Sequence, residues 1–290
     1  MKRMAVNKIG NALASGGSTY ESDEDLELVG DALPFGLKLI ESLLAESPRH
    51  RALLQSACQG FTTYSYLYVQ QEADRLADND LDAADRLRAR ARRLFLRAHR
   101  YGFRLLETTA PNVSAQMTDD PKGATLRFRK RTEVPSLYWN AAALGLAIAV
   151  SKRDAAMLAR LPEVEALIGR AVELDDTWGD GALHEFEVIL AGAKPGKPDF
   201  DAIEVHYQRA LTLSKGKRAS VHVAYAESVS VPRQDREGFR ASLEKALAVD
   251  PDQYPEVRIP NLAAQRRARW LLERVDELIL PPVAALEEEK

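Results

Sequence analysis

The sequence predicts an all-α fold: an array of helical hairpins, organised as degenerate tetratricopeptide-like repeats. Three observations carry this reading. First, a short pattern recurs. It reads Arg97-Ala98-His99-Arg100-Tyr101, Arg170-Ala171-Val172-Glu173-Leu174 and Arg209-Ala210-Leu211-Thr212-Leu213, and is echoed by Lys245-Ala246-Leu247-Ala248-Val249. The alanines at 98, 171, 210 and 246 are separated by 73, 39 and 36 residues, and 73 is close to two units of the same size. Self-similarity at such a period marks stacked helical hairpins, with about 34 residues per unit in tetratricopeptide arrays. Second, the residues seven and three positions upstream of each alanine form the triplets Ala91/Phe95/Ala98, Val164/Ile168/Ala171, Ile203/Tyr207/Ala210 and Phe239/Leu243/Ala246. Spacing of i, i+4, i+7 places each triplet on one helix face, and the small last residue admits a close neighbour. Third, no segment makes a convincing strand. Pro251 falls where the repeat consensus has proline and the other units lack it, so the units are degenerate; the alternative is an ordinary bundle of amphipathic helices. Repeat arrays usually bind a partner on a concave face.

The elements follow in order. Residues 1–25 read as a flexible leader: Ser15-Gly16-Gly17-Ser18 cannot hold a helix, and the acidic run Glu21-Ser22-Asp23-Glu24-Asp25 suits a solvated helix start. A single repeat domain spans 26–280. Its first helix runs from Leu26 to Glu46, with Pro34 as a break or kink and Leu37, Ile40, Leu43 and Leu44 as its apolar face. Ser47-Pro48 supplies a cap and a first-turn proline for the next helix, 49–77, on which Phe61, Tyr64 and Tyr68 share a face. The helix 81–107 carries Arg86, Arg88, Arg90, Arg92, Arg93, Arg97, Arg100 and Arg104. These arginines are read as pointing around most of the helix, with Asp82 and Asp85 interleaved, which argues against a nucleic-acid stripe.

Residues 108–134 form one long irregular insertion, ending in the basic alternating strip Arg127-Phe128-Arg129-Lys130-Arg131. It is either a docking loop or a linker. Helices are expected at 137–151, from Pro162 to Leu174, at 182–192 and 201–214, and at 219–230 and 236–249. Asp201 to Glu204 is a candidate capping box. Asn261 is expected to cap a last helix, 262–279, before a frayed tail, 281–290.

Composition limits the function classes. The net charge is −3, so no global basic field recruits nucleic acid or an anionic membrane. The longest apolar run, Ala141 to Val150, is too short to span a bilayer. Cys58 is the only cysteine, which excludes an internal disulfide and a multi-cysteine metal site; its apolar setting suggests a buried small hydrophobe. The histidines His50, His99, His184, His206 and His222 show no zinc-protease spacing. Gly192-Ala193-Lys194-Pro195-Gly196-Lys197-Pro198 has three residues between its glycines where a phosphate loop needs four, and proline where it needs Ser or Thr. Glu185 and Glu187 lie on different sides of a helix, so no two-carboxylate site follows. The sequence offers no catalytic, metal or cofactor constellation, and an enzyme is not predicted. A deep pocket where His184 meets buried carboxylates would revive one.

Aromatic residues are the better lead. Tyr64, Tyr68, Tyr138, Trp139 and Trp178 line an inner surface in the functional reading and fill repeat interfaces in the plain one. Asn140 joins them through the stretch Leu137-Tyr138-Trp139-Asn140, at the mouth of the helix that follows the insertion.

Several segments, taken together, resemble a known family. They are Val6-Asn7-Lys8-Ile9-Gly10; Asp31-Ala32-Leu33-Pro34-Phe35-Gly36-Leu37-Lys38-Leu39-Ile40-Glu41-Ser42-Leu43-Leu44; Arg88-Ala89-Arg90-Ala91-Arg92-Arg93-Leu94-Phe95-Leu96-Arg97-Ala98; Leu137-Tyr138-Trp139-Asn140; Gly181-Ala182-Leu183-His184-Glu185-Phe186; and Asn261-Leu262-Ala263-Ala264-Gln265. In this order they are similar to the T component of bacterial TRAP-type (tripartite ATP-independent periplasmic) transporters, the TatT family, from about Val6 to Leu280. The resemblance implies a periplasmic lipoprotein of degenerate tetratricopeptide units. It further implies a homotrimer, a solute-binding protein as partner, and an apolar ligand in a channel through the protomer. Members begin with a signal peptide and a lipid-bearing cysteine just before the stretch matching Ala5-Val6-Asn7. Neither is seen in this sequence as written, and both are expected of the precursor. The family has no catalytic residues to carry over.

The expected function is therefore a non-catalytic accessory of solute uptake. It binds a solute-binding protein and an apolar ligand in a cavity lined by Tyr64, Tyr68, Tyr138 and Trp139, uses no cofactor, and reaches the membrane only through a lipid anchor. The alternative is a cytosolic repeat scaffold that recognises a peptide in its groove.

Overall fold

Asp25 opens the first long helix by a side-chain cap: its Oδ1 accepts the Leu28 N–H at 2.9 Å, satisfying one of the free donors of the first turn. The computed structural model describes residues 8, 10–13, 17–194 and 196–280. Most of the expected leader before residue 17, and the whole tail, lie outside the described residues; in its described part Gly17–Glu21 forms a short helix, against the expectation that Gly17 and Ser18 could not hold one. Every element among the described residues is helical.

Helix α1 is Leu26–Glu46 and runs through Pro34 without a break. An interior proline costs about 3 kcal/mol, but residues on both sides of it (Leu26 and Val29 before, Leu37 and Leu44 after) are buried and keep both halves helical. Helix α2 covers 51–76, α-helical over Arg51–Tyr64 and Gln71–Leu76 with a π segment, Ser65–Gln70, between them. Its cap is His50, whose Nδ1 accepts the Leu53 N–H at 3.3 Å. Ser47 and Pro48 are taken up by the preceding turn, closed by the His50 N–H on Ser47 O at 3.1 Å. Helix α3 is Leu81–Thr109.

The segment 108–134 is not irregular. It contains α4, Val113–Asp119, α5, Pro121–Thr125, and a tight turn, Arg131–Glu133. Val113, Met117 and Phe128 are fully buried, so apolar residues at i, i+4 fix α4 in place. The basic strip turns instead of extending, because the Glu133 carboxylate accepts the N–H groups of Arg129 and Lys130 at 2.7 and 2.8 Å. The Phe128 carbonyl accepts two bonds from the Arg170 guanidinium, at 2.9 and 2.7 Å. After this come α6, Val134–Ala149, the short α7, Ala155–Leu158, and α8, Leu161–Asp175.

The chain divides into two compact units, Met1–Trp178 and Gly179–Lys290. In the first, α1, α2, α3 and α6 enclose a core of Leu37, Leu44, Leu53, Leu54, Phe61 and Leu105, among others, with Cys58 buried inside it. The second begins with α9, Ala182–Ala193, and α10, Phe200–Ser214. The cap of α10 is Asp199, not a box at Asp201, with its Oδ1 on the Ala202 N–H at 3.1 Å. Gly181 sits at φ +91°, and a Cβ there would lie 2.8 Å from Ala210 O, so only glycine lets α9 start this close to α10. Helix α11 covers 219–233 and includes a second π segment, Ala226–Ser230; α12 is Arg236–Leu247, α13 Arg258–Glu273 and α14 Val275–Leu278.

All twelve residues of the four repeat triplets are buried, eleven of them fully and Tyr207 to 6 % exposure. The i, i+4, i+7 pattern is thus a packing pattern in each helix that carries it. Asn261 does not cap its own helix, which begins three residues earlier. It accepts the Ala219 N–H at 3.0 Å and donates to Lys217 O at 2.8 Å, so it caps α11 from across the interface. One turn on, Gln265 donates to the carbonyls of Ala246, Leu247 and Val249 at 3.3, 3.2 and 2.6 Å, closing the end of α12. One face of α13 therefore satisfies the free groups of two neighbouring helix ends.

Candidate functional site

The predicted aromatics fall into two groups in the first unit. Tyr64 and Tyr68, one turn apart across the start of the π segment, stack with ring centroids 5.8 Å apart, and the Tyr68 hydroxyl donates to Leu26 O at 2.9 Å. Tyr138 is the centre of the other group, 5.1 Å from the Trp139 ring and 5.0 Å from the Trp178 ring. All five are half-buried. Tyr64 and Trp139 both pack on the core formed by α1, α2, α3 and α6. For Tyr64 and Trp139 this is the interface-filling role of the plain reading.

Asn140 is separate from these rings in role. It is fully buried, and its Oδ1 lies 2.6 Å from His99 Nδ1. The opposite ring nitrogen, Nε2, lies 2.7 Å from the Arg160 guanidinium, which can only donate. That contact fixes the tautomer: Nδ1 carries the proton and gives it to Asn140. Arg160 in turn holds Glu163 through two bonds of 2.7 and 2.9 Å. Burial, and after it the Arg160 charge, pushes the His99 pKa down to about 3, against the smaller opposing effect of the Asn140 bond. Gly102 makes the approach possible, since a Cβ there would lie 2.6 Å from Asn140 Oδ1. The network Asn140–His99–Arg160–Glu163 ties α3, α6 and α8 together. With Nδ1 given to Asn140 and the Nε2 lone pair taken by Arg160, the neutral imidazole positions three helices relative to one another.

His184 Nδ1 lies 2.9 Å from His206 Nδ1, and the adjacent Glu185 is held by Arg218 at 2.9 Å. Burial first, then His184 and Lys194, hold the His206 pKa below its usual value. Tyr207 and His222 form a second pair at 3.1 Å.

The arginines of α3 are not spread as the sequence reading had them. At 100° per residue, Arg86, Arg90, Arg93, Arg97, Arg100 and Arg104 stand at i, i+4, i+7, i+11, i+14 and i+18, which is a single face; only Arg88 and Arg92 lie on other sides. Three of the six are held by aromatic rings: Arg90 over Tyr64, Arg97 over Phe61 and Arg104 over Tyr101, at 5.8, 4.9 and 5.2 Å from the centroids. Arg97 also grips Glu41 with two bonds of 2.5 Å, and Tyr101 donates to the same carboxylate at 2.6 Å. Burial raises the Glu41 pKa, but the bonds from Lys38, Tyr101 and Arg97 outweigh it and leave it below the usual carboxylate value. The signal for this face was present in the sequence as the 4-3-4-3-4 spacing.

No described helix is long and apolar enough to cross a membrane. Among the described residues, no group of three or more His, Cys, Asp or Glu could hold a metal ion.

The profile of the family described as TAtT, TRAP transporter T-component, matches residues 22–279. A protein of Treponema pallidum (strain Nichols), described as uncharacterized, is 27% identical over 269 residues, covering 90% of this chain and 82% of that protein.

Proposed function

The chain belongs to the TRAP transporter T-component family, and from that premise we propose that it is a non-catalytic accessory of a solute uptake system that binds the solute-binding protein of its transporter. The observation that carries this reading is the family match across nearly all of an all-helical chain. The family is one of transporter components, not of enzymes, and works with the other components of the transporter. The finer reading is a periplasmic, lipid-anchored homotrimer whose helical pairs act as degenerate tetratricopeptide-like units. The recurrent buried triplets support the repeat part of it.

An apolar ligand belongs to the same reading, with Tyr138, Trp139 and Trp178 as its contacts and Tyr64 and Tyr68 as a second aromatic wall. Asn140 takes part by orienting the turn of α6 that carries Tyr138 and Trp139. Support comes from the clustering of three rings that stay only half-buried. Mixing the purified chain with the solute-binding protein of its own transporter, followed by mass-resolved light scattering, tests the partner. A defined complex on a trimeric core is expected. A monomer that ignores the binding protein overturns the reading in favour of a peptide-binding scaffold. For the ligand, Trp178→Ala is expected to weaken calorimetric binding of a long-chain fatty acid probe with the helical circular dichroism intact.

A further inference from the structure

The arginine face of α3 consists of two parallel rows. Arg90, Arg97 and Arg104 lean on Tyr64, Phe61 and Tyr101, and make bonds to Tyr64, Glu41 and Pro48 O. Arg86, Arg93 and Arg100 are exposed and make no hydrogen bond or ion pair with any described residue. They point away from the buried face set by Ala91, Phe95, Ala98 and Leu105. Their spacing is seven residues, so neighbouring guanidinium stems rise about 10.5 Å apart along a straight helix. Eight arginines stand against three carboxylates on this one helix, in a chain whose net charge is −3. Glu41 and Asp154, brought in by neighbouring segments, neutralise Arg97 and Arg92, which leaves the positive excess on the outer row. A local positive excess on a weakly acidic protein acts as a steering and orienting surface.

We propose that the row Arg86, Arg93 and Arg100 is the docking surface for an acidic α-helix of the solute-binding protein, one that presents Asp or Glu at seven-residue intervals. The proposal rests on the reading that this chain binds that protein. The seven-residue interval carries the argument: two helices lying side by side bring matching positions together every two turns, which is how flanking charges pair in coiled coils. The inner row is pinned by aromatics and already bonded, so it contributes potential without competing for the incoming carboxylates. A nucleic-acid strand fits less well, because the rings it would stack on are already covered by arginines. A lipid surface also fits less well, since three arginines contribute only about 1 kcal/mol each near an anionic bilayer and no apolar face accompanies them for insertion.

The test measures association of the full-length chain with its solute-binding protein at 50 and 300 mM salt. It compares the unaltered chain, the triple variant R86E/R93E/R100E, and R240E/K245E, a charge reversal of the same kind at exposed positions of α12. Circular dichroism verifies the fold of each. The expected result is at least about a tenfold loss of affinity in the triple variant, mostly in the association rate and with the salt dependence flattened, and no loss in R240E/K245E. Equal affinity of the triple variant and the unaltered chain overturns the docking surface while the partner reading stands. No binding by the unaltered chain overturns both. Loss in the triple variant of self-association, or of binding to phosphatidylglycerol vesicles, with the affinity for the solute-binding protein unchanged, assigns the row to another occupant and also overturns the proposal.

Discussion

Asn261 shows how one side chain can decide the contact between helices. A residue of this type just before an apolar run signals a cap, and it does act as one, but for α11 and not for α13. The Ala219 N–H and the Lys217 carbonyl it serves are both main-chain groups that its loss leaves unsatisfied. Asn261→Ala is therefore expected to cost about 1–2 kcal/mol and to speed hydrogen exchange at the Ala219 amide, while helices of the first unit keep their protection. Unchanged exchange at that amide would mean that solvent replaces the side chain without penalty. Residue type was legible at such positions; the partner was not, because 42 residues separate the two groups and only tertiary packing brings them together. The same holds for Asn140. The sequence singled it out beside Tyr138 and Trp139, but its bond to His99 is invisible without the approach of α3 to α6 that Gly102 permits.

Periodicity determines what can be read along a single element. The four triplets were legible because burial of one face repeats at 3.6 residues; the arginine face of α3 repeats at the same period, but it was misread as spread around the helix. The segment 108–134 was misjudged because local preference was weighed without the burial that overrides it; at Pro34 the helix does not break. At this scale the histidines set a pH response. The folded-state pKa of His99 is about 3 through burial and the Arg160 charge, and burial also holds His206 and His222 below their usual value. The unfolded chain, with histidine pKa near 6.5, binds more protons than the folded one below that pH. Stability is therefore fully present above about pH 6.5 and falls as the pH drops toward 5, at up to about 1.4 kcal/mol per pH unit for each such group. His99→Gln is expected to lower stability at pH 7.5 and to flatten the fall between pH 6.5 and 5 in urea titrations. A slope equal to that of the unaltered chain would place the proton uptake at other residues.

For the whole molecule, the helical periodicity announced an all-α chain but not the division into two units, because a pattern that recurs across a boundary conceals it. The second unit builds its own core. Val188, Ile203, Tyr207 and Val221 form one apolar cluster, and Phe239, Leu243, Ala268 and Leu271 belong to another. Helix α11 serves both: Val221, Ala224 and Val229 turn to the first, and Ala219, Val223 and Ala226 to the second. A helix buried on two sides is stable only when both sides are covered. A fragment of residues 179–280, about 100 residues long, is large enough to hold a core of this kind. It is expected to give helical circular dichroism and a single cooperative urea transition. A fragment ending at 233 lacks α12 and α13 and leaves the Ala219, Val223 and Ala226 face bare. It is expected to be largely unfolded or to aggregate, although it retains three complete helices. If the longer fragment is coil, its clusters do not suffice and the unit takes its stability from the rest of the chain. If the shorter one folds, α11 needs only one covered face, and the two clusters are energetically independent.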